Sequence, residues 1–358
     1  MLDYDSSPRR HINIAIIYLM LGLTAILLAS VFASPDFLGD ERYWNKIAWL
    51  WAQGHPPYSV IGDNKLPGIF YMHLFSNWVL PGNPFFPRLI AVLLQLGGAL
   101  AVYGITWRIL DPRERLWCLA AYVAIIGTPS TDVGNGGTTE AFMHPFSALA
   151  FLLYSLRRGE KEDLRASAFA GLAMGMAICF RQSAATSLLA LMCWPLLEHG
   201  LRRGWKESLA MLGAASVING LIVLPILMQG TTIAQFLDAI STKTSVVPDS
   251  GRVLFVNWYV WQEWVLPLAF IGFMLCRRRE TWPFLLWLAA DCLAVNVTGN
   301  YFSHQFKQMV PSFAVCAGLA VASAFREKSP STQYRMLMVL VTLFFILDAV
   351  LTVLNLNR

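Results

Sequence analysis

Apolar stretches long enough to cross a lipid bilayer recur along the whole chain, and that recurrence limits its fold more than any other feature. A span needs about 20 mainly apolar residues, and about eleven such segments can be placed. They centre near Ile16, Gly98, Tyr122, Ala150, Met174, Ala190, Ser216, Leu268, Ala289, Ala317 and Phe345. Of the 358 residues, 56% are hydrophobic and 14% charged, with a mean hydropathy of +0.52. A water-soluble globular chain is excluded. The predicted fold class is an all-α polytopic membrane protein, one domain over residues 1–358.

Lys and Arg set the expected orientation, since positive charges near helix ends are retained on the cytoplasmic side. Arg9 and Arg10, then Arg108, Arg113 and Arg115, then Arg157, Arg158, Lys161 and Arg165 mark every second connection. Arg202, Arg203 and Lys206, then Arg277 to Arg279, then Arg326, Lys328 and Arg335 continue the alternation. These are predicted to lie inside. The apolar run from Ile12 to Phe32 is too long for a signal-peptide core, so it reads as a retained anchor with a cytoplasmic N-terminus.

The remaining cations break that bias and need a reason. Arg42, Lys46, Lys65, Arg88, Arg181, Lys243, Arg252, Lys307 and Arg358 fall on the outer face. Asp40, Glu41, Asp63, Asp132, Glu140, Asp238 and Asp249 fall on the same side. A polar site assembled from several outer loops accounts for both sets. The net charge of +5 then reports orientation and contact with anionic lipid headgroups, and it implies no nucleic-acid partner.

Much of the remaining pattern is silent. The six cysteines all lie in apolar segments, where they behave as small hydrophobes rather than as a disulfide or metal framework. There is no internal repeat, phosphate-binding loop, dinucleotide fingerprint or zinc-spaced His pair. His55, His73 and His144 read as loop or packing histidines. Asp291 and Asp348 stand in the middle of apolar segments, which is the feature a transporter or lipid flippase would show.

The acidic pair Asp40-Glu41 is the sharpest local signal. It follows the first apolar segment and begins a stretch, Arg42 to Gln53, whose helical spacing puts Tyr43, Ile47, Leu50 and Trp51 on one side. This predicts a helix lying in the outer interface, with the acids at membrane level. Two readings follow. The acids either cap that helix, where a negative charge is favoured, or carry chemistry.

The string Asp40-Glu41, Tyr43, Ala48, Gly54, Pro57-Tyr58, Lys65-Leu66-Pro67 and Arg88-Leu89 resembles the first outer loop of GT-C glycosyltransferases. The similarity is to the bacterial protein-mannosyltransferase-like and lipid A aminoarabinose transferase-like branch. That pattern is an acidic pair, a Gly-x-x-Pro-Tyr turn, a Lys-Pro-Pro and an Arg, and Leu66 departs from it at the first proline. Asn135 to Glu140 resembles the family's second outer loop, Gly171 to Ala184 its Gly-rich helix ending in a basic-Gln pair, and Tyr301 to Pro311 its Tyr-x-x-His…Pro segment.

The resemblance implies an inverting transfer of sugar from a polyprenyl-phosphate donor to an acceptor hydroxyl at the outer leaflet. Residues 1–230 would form the catalytic module and 231–358 variable C-terminal helices. Asp40 matches the base that removes the hydroxyl proton, with Glu41 beside it orienting the acceptor or a metal. Arg181, Lys307 and His304 are candidates for the lipid phosphate, with Arg88 and Lys65 as helpers. Asp132 or Glu140 would supply a second acid, although Thr138-Thr139-Glu140 also reads as a helix start. Tyr58 and Gln182 are candidates on the acceptor side. Some members of the family bind a divalent metal near this face, and the chain has no firm ligand spacing for one, so the cofactor stays unassigned. The acceptor is an envelope glycan, a glycolipid or a protein, and the expected location is the bacterial inner membrane.

Overall fold

The computed structural model describes residues 7–32, 34–127, 137–157, 163–241, 278–298 and 303–326, with Pro267, Ile271, Met274 and Leu275. Asp132, Asn135, Arg158, Lys161, Lys243, Asp249, Arg252, Tyr301 and Asp348, and the spans expected near Leu268 and Phe345, lie outside the described residues. The described chain is helical, with no strand. In order the helices are α1 (Ser7–Val31), α2 (Gly39–Ala52), α3 (Gly68–Val79), α4 (Phe85–Ile105), α5 (Arg115–Ile126) and α6 (Thr139–Ser155). There follow α7 (Leu164–Phe180), α8 (Ala185–His199), α9 (Leu201–Met228), α10 (Ile233–Ser241), α11 (Trp282–Thr298) and α12 (Val310–Arg326). Short 3-10 turns cover Gln182–Ala184, Arg279–Thr281 and Ser303–Met309.

Four stretches among the described residues are long and apolar enough to cross a membrane: His11–Val31, Phe85–Ile105, Leu201–Met228 and His304–Arg326. The other expected spans among the described residues are shorter. Helix α7 has 17 residues, so at 1.5 Å per residue it reaches about 25 Å, short of the ~30 Å hydrocarbon core. It packs between α6 and α9, and its C-terminal end is buried.

Small residues let these helices approach closely. A Cβ on Gly171 would fall 2.3 Å from the Met211 carbonyl, and one on Gly175 would fall 2.9 Å from Cα of Ala215, so α7 and α9 meet backbone to backbone. Gly318 of α12 lies on Cys118 of α5 in the same manner, its Cβ position 2.5 Å from the cysteine nitrogen. That contact carries the late part of the chain back into the bundle, with α11 on α8 and the Ser303–Met309 turn on α6. Large apolar side chains such as Tyr18, Leu93, Val217, Leu221 and Leu293 point outward, as lipid-facing residues do. Among the described residues Cys118, Cys179, Cys193, Cys292 and Cys316 form no disulfide with one another.

Helix α2 forms where the acid pair predicts, but its buried face is turned by about one residue from the expected one. Trp44, Ile47, Ala48 and Trp51 are buried, and Tyr43 is exposed. The spacing i, i+3, i+4, i+7 places the larger indoles inward. The Tyr43 hydroxyl donates instead to the Gly62 carbonyl at 2.8 Å, and Trp44 Nε1 donates to Asp63 Oδ2 at 2.7 Å, so α2 is stitched to the loop that follows it.

Candidate active site

At one end of the bundle the starts of α2, α3, α4 and α6 meet the end of α7 and the Ser303–Met309 turn. The structure separates the two adjacent acids. Glu41 is buried, and its Oε2 accepts from the Leu38 amide at 3.1 Å, so it helps to begin α2. It also holds Arg88 of α4, which donates from Nε to Oε1 at 3.0 Å and from Nη2 to Oε2 at 2.6 Å. The other Arg88 donors go to carbonyls: Nη1 to Val31 at 3.2 Å and Ser34 at 2.7 Å, and Nη2 to Asp36 at 2.7 Å.

That arrangement differs from the one expected. A guanidinium has five N–H groups, and all of them are used here, so Arg88 has none left for a phosphate. Glu41 likewise spends its carboxylate on Arg88 and on Leu38 rather than on an acceptor or a metal. The pair ties α4 to the end of α1 and the start of α2. Asp40 is exposed in the first turn of α2, and its carboxylate makes no hydrogen bond or ion pair among the described residues.

A second cluster forms around Glu140 at the start of α6. Its carboxylate is 1% exposed and is paired with Arg181, which caps the end of α7. Thr139 Oγ1 donates to Oε2 at 2.9 Å, and His304 Nε2 lies 3.9 Å from Oε1. Lys65 is within electrostatic reach of the same carboxylate. Thr138 occupies the N-cap position, yet its hydroxyl makes no capping bond, so the helix start does not account for Glu140. Lys307 is buried and lies within electrostatic reach of His144, which hydrogen-bonds the Glu140 carbonyl through Nδ1 at 2.8 Å. In a 3-10 turn residues i and i+3 eclipse, so His304 and Lys307 present one face.

The loop between α2 and α3 is fastened to this cluster. Gln182 donates through Nε2 to the Asn64 carbonyl, and the Tyr58 hydroxyl donates to the Lys65 carbonyl at 2.7 Å. Tyr58 is buried against Phe70 and Phe236 at φ 69°, a left-handed conformation that bulky residues rarely adopt. Both side chains therefore shape the Lys65 segment, where an acceptor role was expected. Lys65 Nζ donates to Asn64 Oδ1 at 2.9 Å.

Two glycines allow the segments to close up. A Cβ on Gly68 would lie 2.6 Å from the Cys179 carbonyl, which seats the start of α3 on the end of α7. Gly137 packs on the Glu41 carboxylate, three residues before Glu140, and so joins the two clusters. Sequence reasoning missed Gly137, although the Asn135-Gly136-Gly137 run advertises a close approach. It also missed Ser183 and Gln308, which carry no signal of their own. Among the described residues no group of three or more His, Cys, Asp or Glu is arranged to hold a metal. Glu41 and Glu140, the buried carboxylates of this end of the bundle, are each paired with an arginine.

A family model described as dolichyl-phosphate-mannose-protein mannosyltransferase matches residues 64–229. The chain is similar in structure to ArnT from Cupriavidus metallidurans bound to undecaprenyl phosphate, with TM-score 0.61 and 14% identity over 86% of this chain and 60% of that one. It is also similar to the archaeal oligosaccharyltransferase AglB from Archaeoglobus fulgidus in complex with an inhibitory peptide and a dolichol-phosphate. There the TM-score is 0.54 and the identity 14%, over 92% of this chain and 55% of that one. The chain thus spans less than two thirds of the length of either protein. No curated protein sequence matches it. The fold resembles that of GT-C membrane glycosyltransferases, and the matched segment covers residues 64–229. The part that is similar in sequence to the mannosyltransferase family model runs from Asn64 through α3 to the end of α9.

Proposed function

We propose that the chain transfers a sugar, with inversion, from a polyprenyl-phosphate-linked donor to a hydroxyl of an envelope glycan, a glycolipid or a protein. The observation that carries this reading is the convergence of Arg181, Lys65 and His304 on the one carboxylate of Glu140, with Lys307 on the face of His304. This corner of a membrane protein carries more positive than negative charge. A lipid phosphate has the charge and the apolar tail that such a corner would take. Both structural relatives hold a polyprenyl-type phosphate, which supports the same reading.

In this scheme the acceptor oxygen attacks the anomeric carbon while the bond from that carbon to the phosphate oxygen breaks. The bonding pair leaves with the phosphate, whose added charge is met by Arg181, Lys65 and Lys307. The acceptor proton goes to Asp40, the exposed acid, while Glu41 stays paired with Arg88. No step is routed through a metal. The positive-inside pattern supports a site on the outer face of the bacterial inner membrane, an N-terminus in the cytoplasm, α2 lying in the outer interface, and shorter helices that complete about eleven spans. Residues 1–230 would be the catalytic module, completed by the Ser303–Met309 turn.

The test is sugar transfer by the purified full-length chain in detergent, supplied with polyprenyl-phosphate-linked sugars and an envelope glycolipid fraction. Product formation that requires the lipid-linked donor is expected. Failure of the parent protein to bind undecaprenyl phosphate would overturn the donor assignment. Mass spectrometry of envelope glycolipids from cells lacking the protein would identify the sugar and its acceptor.

A further inference from the structure

Asp291 lies within α11, deep among packed helices and 1% exposed, and among the described residues no Lys, Arg or His pairs with it. Its carboxylate is satisfied by neutral donors alone. Ser187 of α8 donates to Oδ1 at 2.6 Å, Ser312 of α12 donates to Oδ2 at 2.6 Å, and Gln308 Nε2 lies 3.4 Å from Oδ1. An ionisable side chain at membrane depth is costly and is rarely kept for packing alone. The transport pathway that such a residue could mark is not what surrounds it. Two neighbouring helices and a turn close on it.

The line of contacts leads to the site. Gln308 is itself buried, and it clasps Ser183: Ser183 Oγ donates to Gln308 Oε1 at 2.6 Å, and Gln308 Nε2 donates to the Ser183 carbonyl at 3.3 Å. Ser183 belongs to the 3-10 turn that follows Arg181, and its neighbour Gln182 holds the Asn64-Lys65 segment. Gln308 also follows Lys307 directly in the Ser303–Met309 turn. One residue further on along a 3-10 turn rotates by a third of a circle. Gln308 can therefore face Asp291 and Ser183 while His304 and Lys307 face Glu140 and His144.

We propose that Asp291 is a positioning residue for the donor phosphate. It fixes Gln308, and through Gln308 it sets the Ser303–Met309 turn in register with the end of α7. Basic side chains from two distant parts of the chain, Arg181 on one side and His304 and Lys307 on the other, are thereby held at one spacing. This rests on the reading of that corner as the polyprenyl-phosphate site.

The experiment compares full-length parent, Asp291→Asn and Gln308→Leu in detergent, measuring undecaprenyl phosphate binding, the separate KM values for donor and acceptor, and thermal unfolding. Asp291→Asn replaces one acceptor oxygen with a donor that opposes the serine hydroxyls. Weaker undecaprenyl phosphate binding and a higher donor KM, by roughly tenfold or more, are expected in both variants, with the acceptor KM unchanged. A purely structural role would lower the active fraction and the melting temperature without separating donor from acceptor. If Asp291→Asn does not fold, Gln308→Leu decides, since Asp291 then keeps both serines. A parent that binds undecaprenyl phosphate while both folded variants bind it equally well would overturn the positioning role alone. A parent that does not bind it would overturn the phosphate site, and this inference with it.

Discussion

Gly137 lies against the carboxylate of Glu41 so closely that a Cβ at 137 would stand 1.9 Å from Oε1 and 2.7 Å from Cδ. A free glutamate would swing aside, but this one is held by Arg88 on α4 and by the Leu38 amide. The glycine is therefore the point at which the segment before α6 rests on the start of α2. Gly137→Ala is expected to displace that segment, and Glu140 with it, lowering transfer far more than the removal of one hydrogen atom suggests. Parental activity and melting temperature in Gly137→Ala would show that Glu41 yields after all.

The Glu41–Arg88 pair makes the opposite kind of prediction. Removing one partner of a buried ion pair costs about 3–5 kcal/mol, because the other charge is left uncompensated. Arg88→Ala is therefore expected to lower the melting temperature in detergent more than any other single change at this end of the bundle. Glu41→Gln, which keeps two oxygen- or nitrogen-bearing positions, should be milder. If Arg88 instead served the phosphate, Arg88→Ala would melt like the parent and raise the donor KM.

Arg181 and Lys307 should behave in that second way. Arg181→Ala loses a charge-assisted contact to phosphate, roughly 1.5–3 kcal/mol for a bond to a charged group, and also leaves Glu140 unpaired. Because Glu140 is buried, the clean form of the test is Arg181→Ala combined with Glu140→Gln, which removes both charges. Weaker dependence on the polyprenyl-phosphate donor in this double variant, and in Lys307→Ala, is expected. Unchanged donor titrations in both would take these residues out of the site.

The sequence carried much of this architecture and less of the pairing. Apolar length and the placement of Lys and Arg made the helical membrane fold legible, and the acid pair located α2 to within a few residues. Which acid faces inward was not legible, since Asp40 and Glu41 differ by one methylene and the outcome depends on Arg88, 47 positions away. The buried face of α2 was missed by about one residue because Tyr43 and Trp44 are both large and amphipathic. Their partners in the following loop separate them: the Gly62 carbonyl takes the tyrosine hydroxyl and Asp63 takes the indole. Arg181 and Glu140 were each singled out for charge in an apolar setting, but nothing in their spacing said that they meet. Asp291 was visible as an anomaly whose partners, two serines and a glutamine, carry no signal of their own.

Orientation yields a prediction by labelling. In a background lacking the six native cysteines, a cysteine at Asp63 should react with an impermeant thiol reagent added to intact cells, and one at Arg203 should not. Asp63 lies on the loop joined to Trp44, and Arg203 lies at the exposed start of α9. Reaction at 203 from outside would invert the membrane orientation and move the donor to the cytoplasmic leaflet.

The sharpest prediction concerns Asp40. Its carboxylate is exposed and makes no contact among the described residues, whereas its neighbour Glu41 is fully engaged, so the two acids are open to separate tests. Asp40→Asn keeps the size and most of the hydrogen bonding of the side chain and removes the proton acceptor. General-base assistance typically contributes roughly 10²–10⁴-fold, so transfer should slow by at least about a hundredfold. If Asp40 serves only the start of α2, Asn should do nearly as well, since the dipole contribution of one exposed acid is ~0.3–1 kcal/mol. The measurement is turnover of purified Asp40→Asn at saturating donor and acceptor, beside its melting curve. A protein that melts like the parent and is slowed a hundredfold fits the base. Near-parental turnover would remove Asp40 from the chemistry and direct the search to Asp132, the remaining acid of the neighbouring segment, because Glu140 is already held by Arg181.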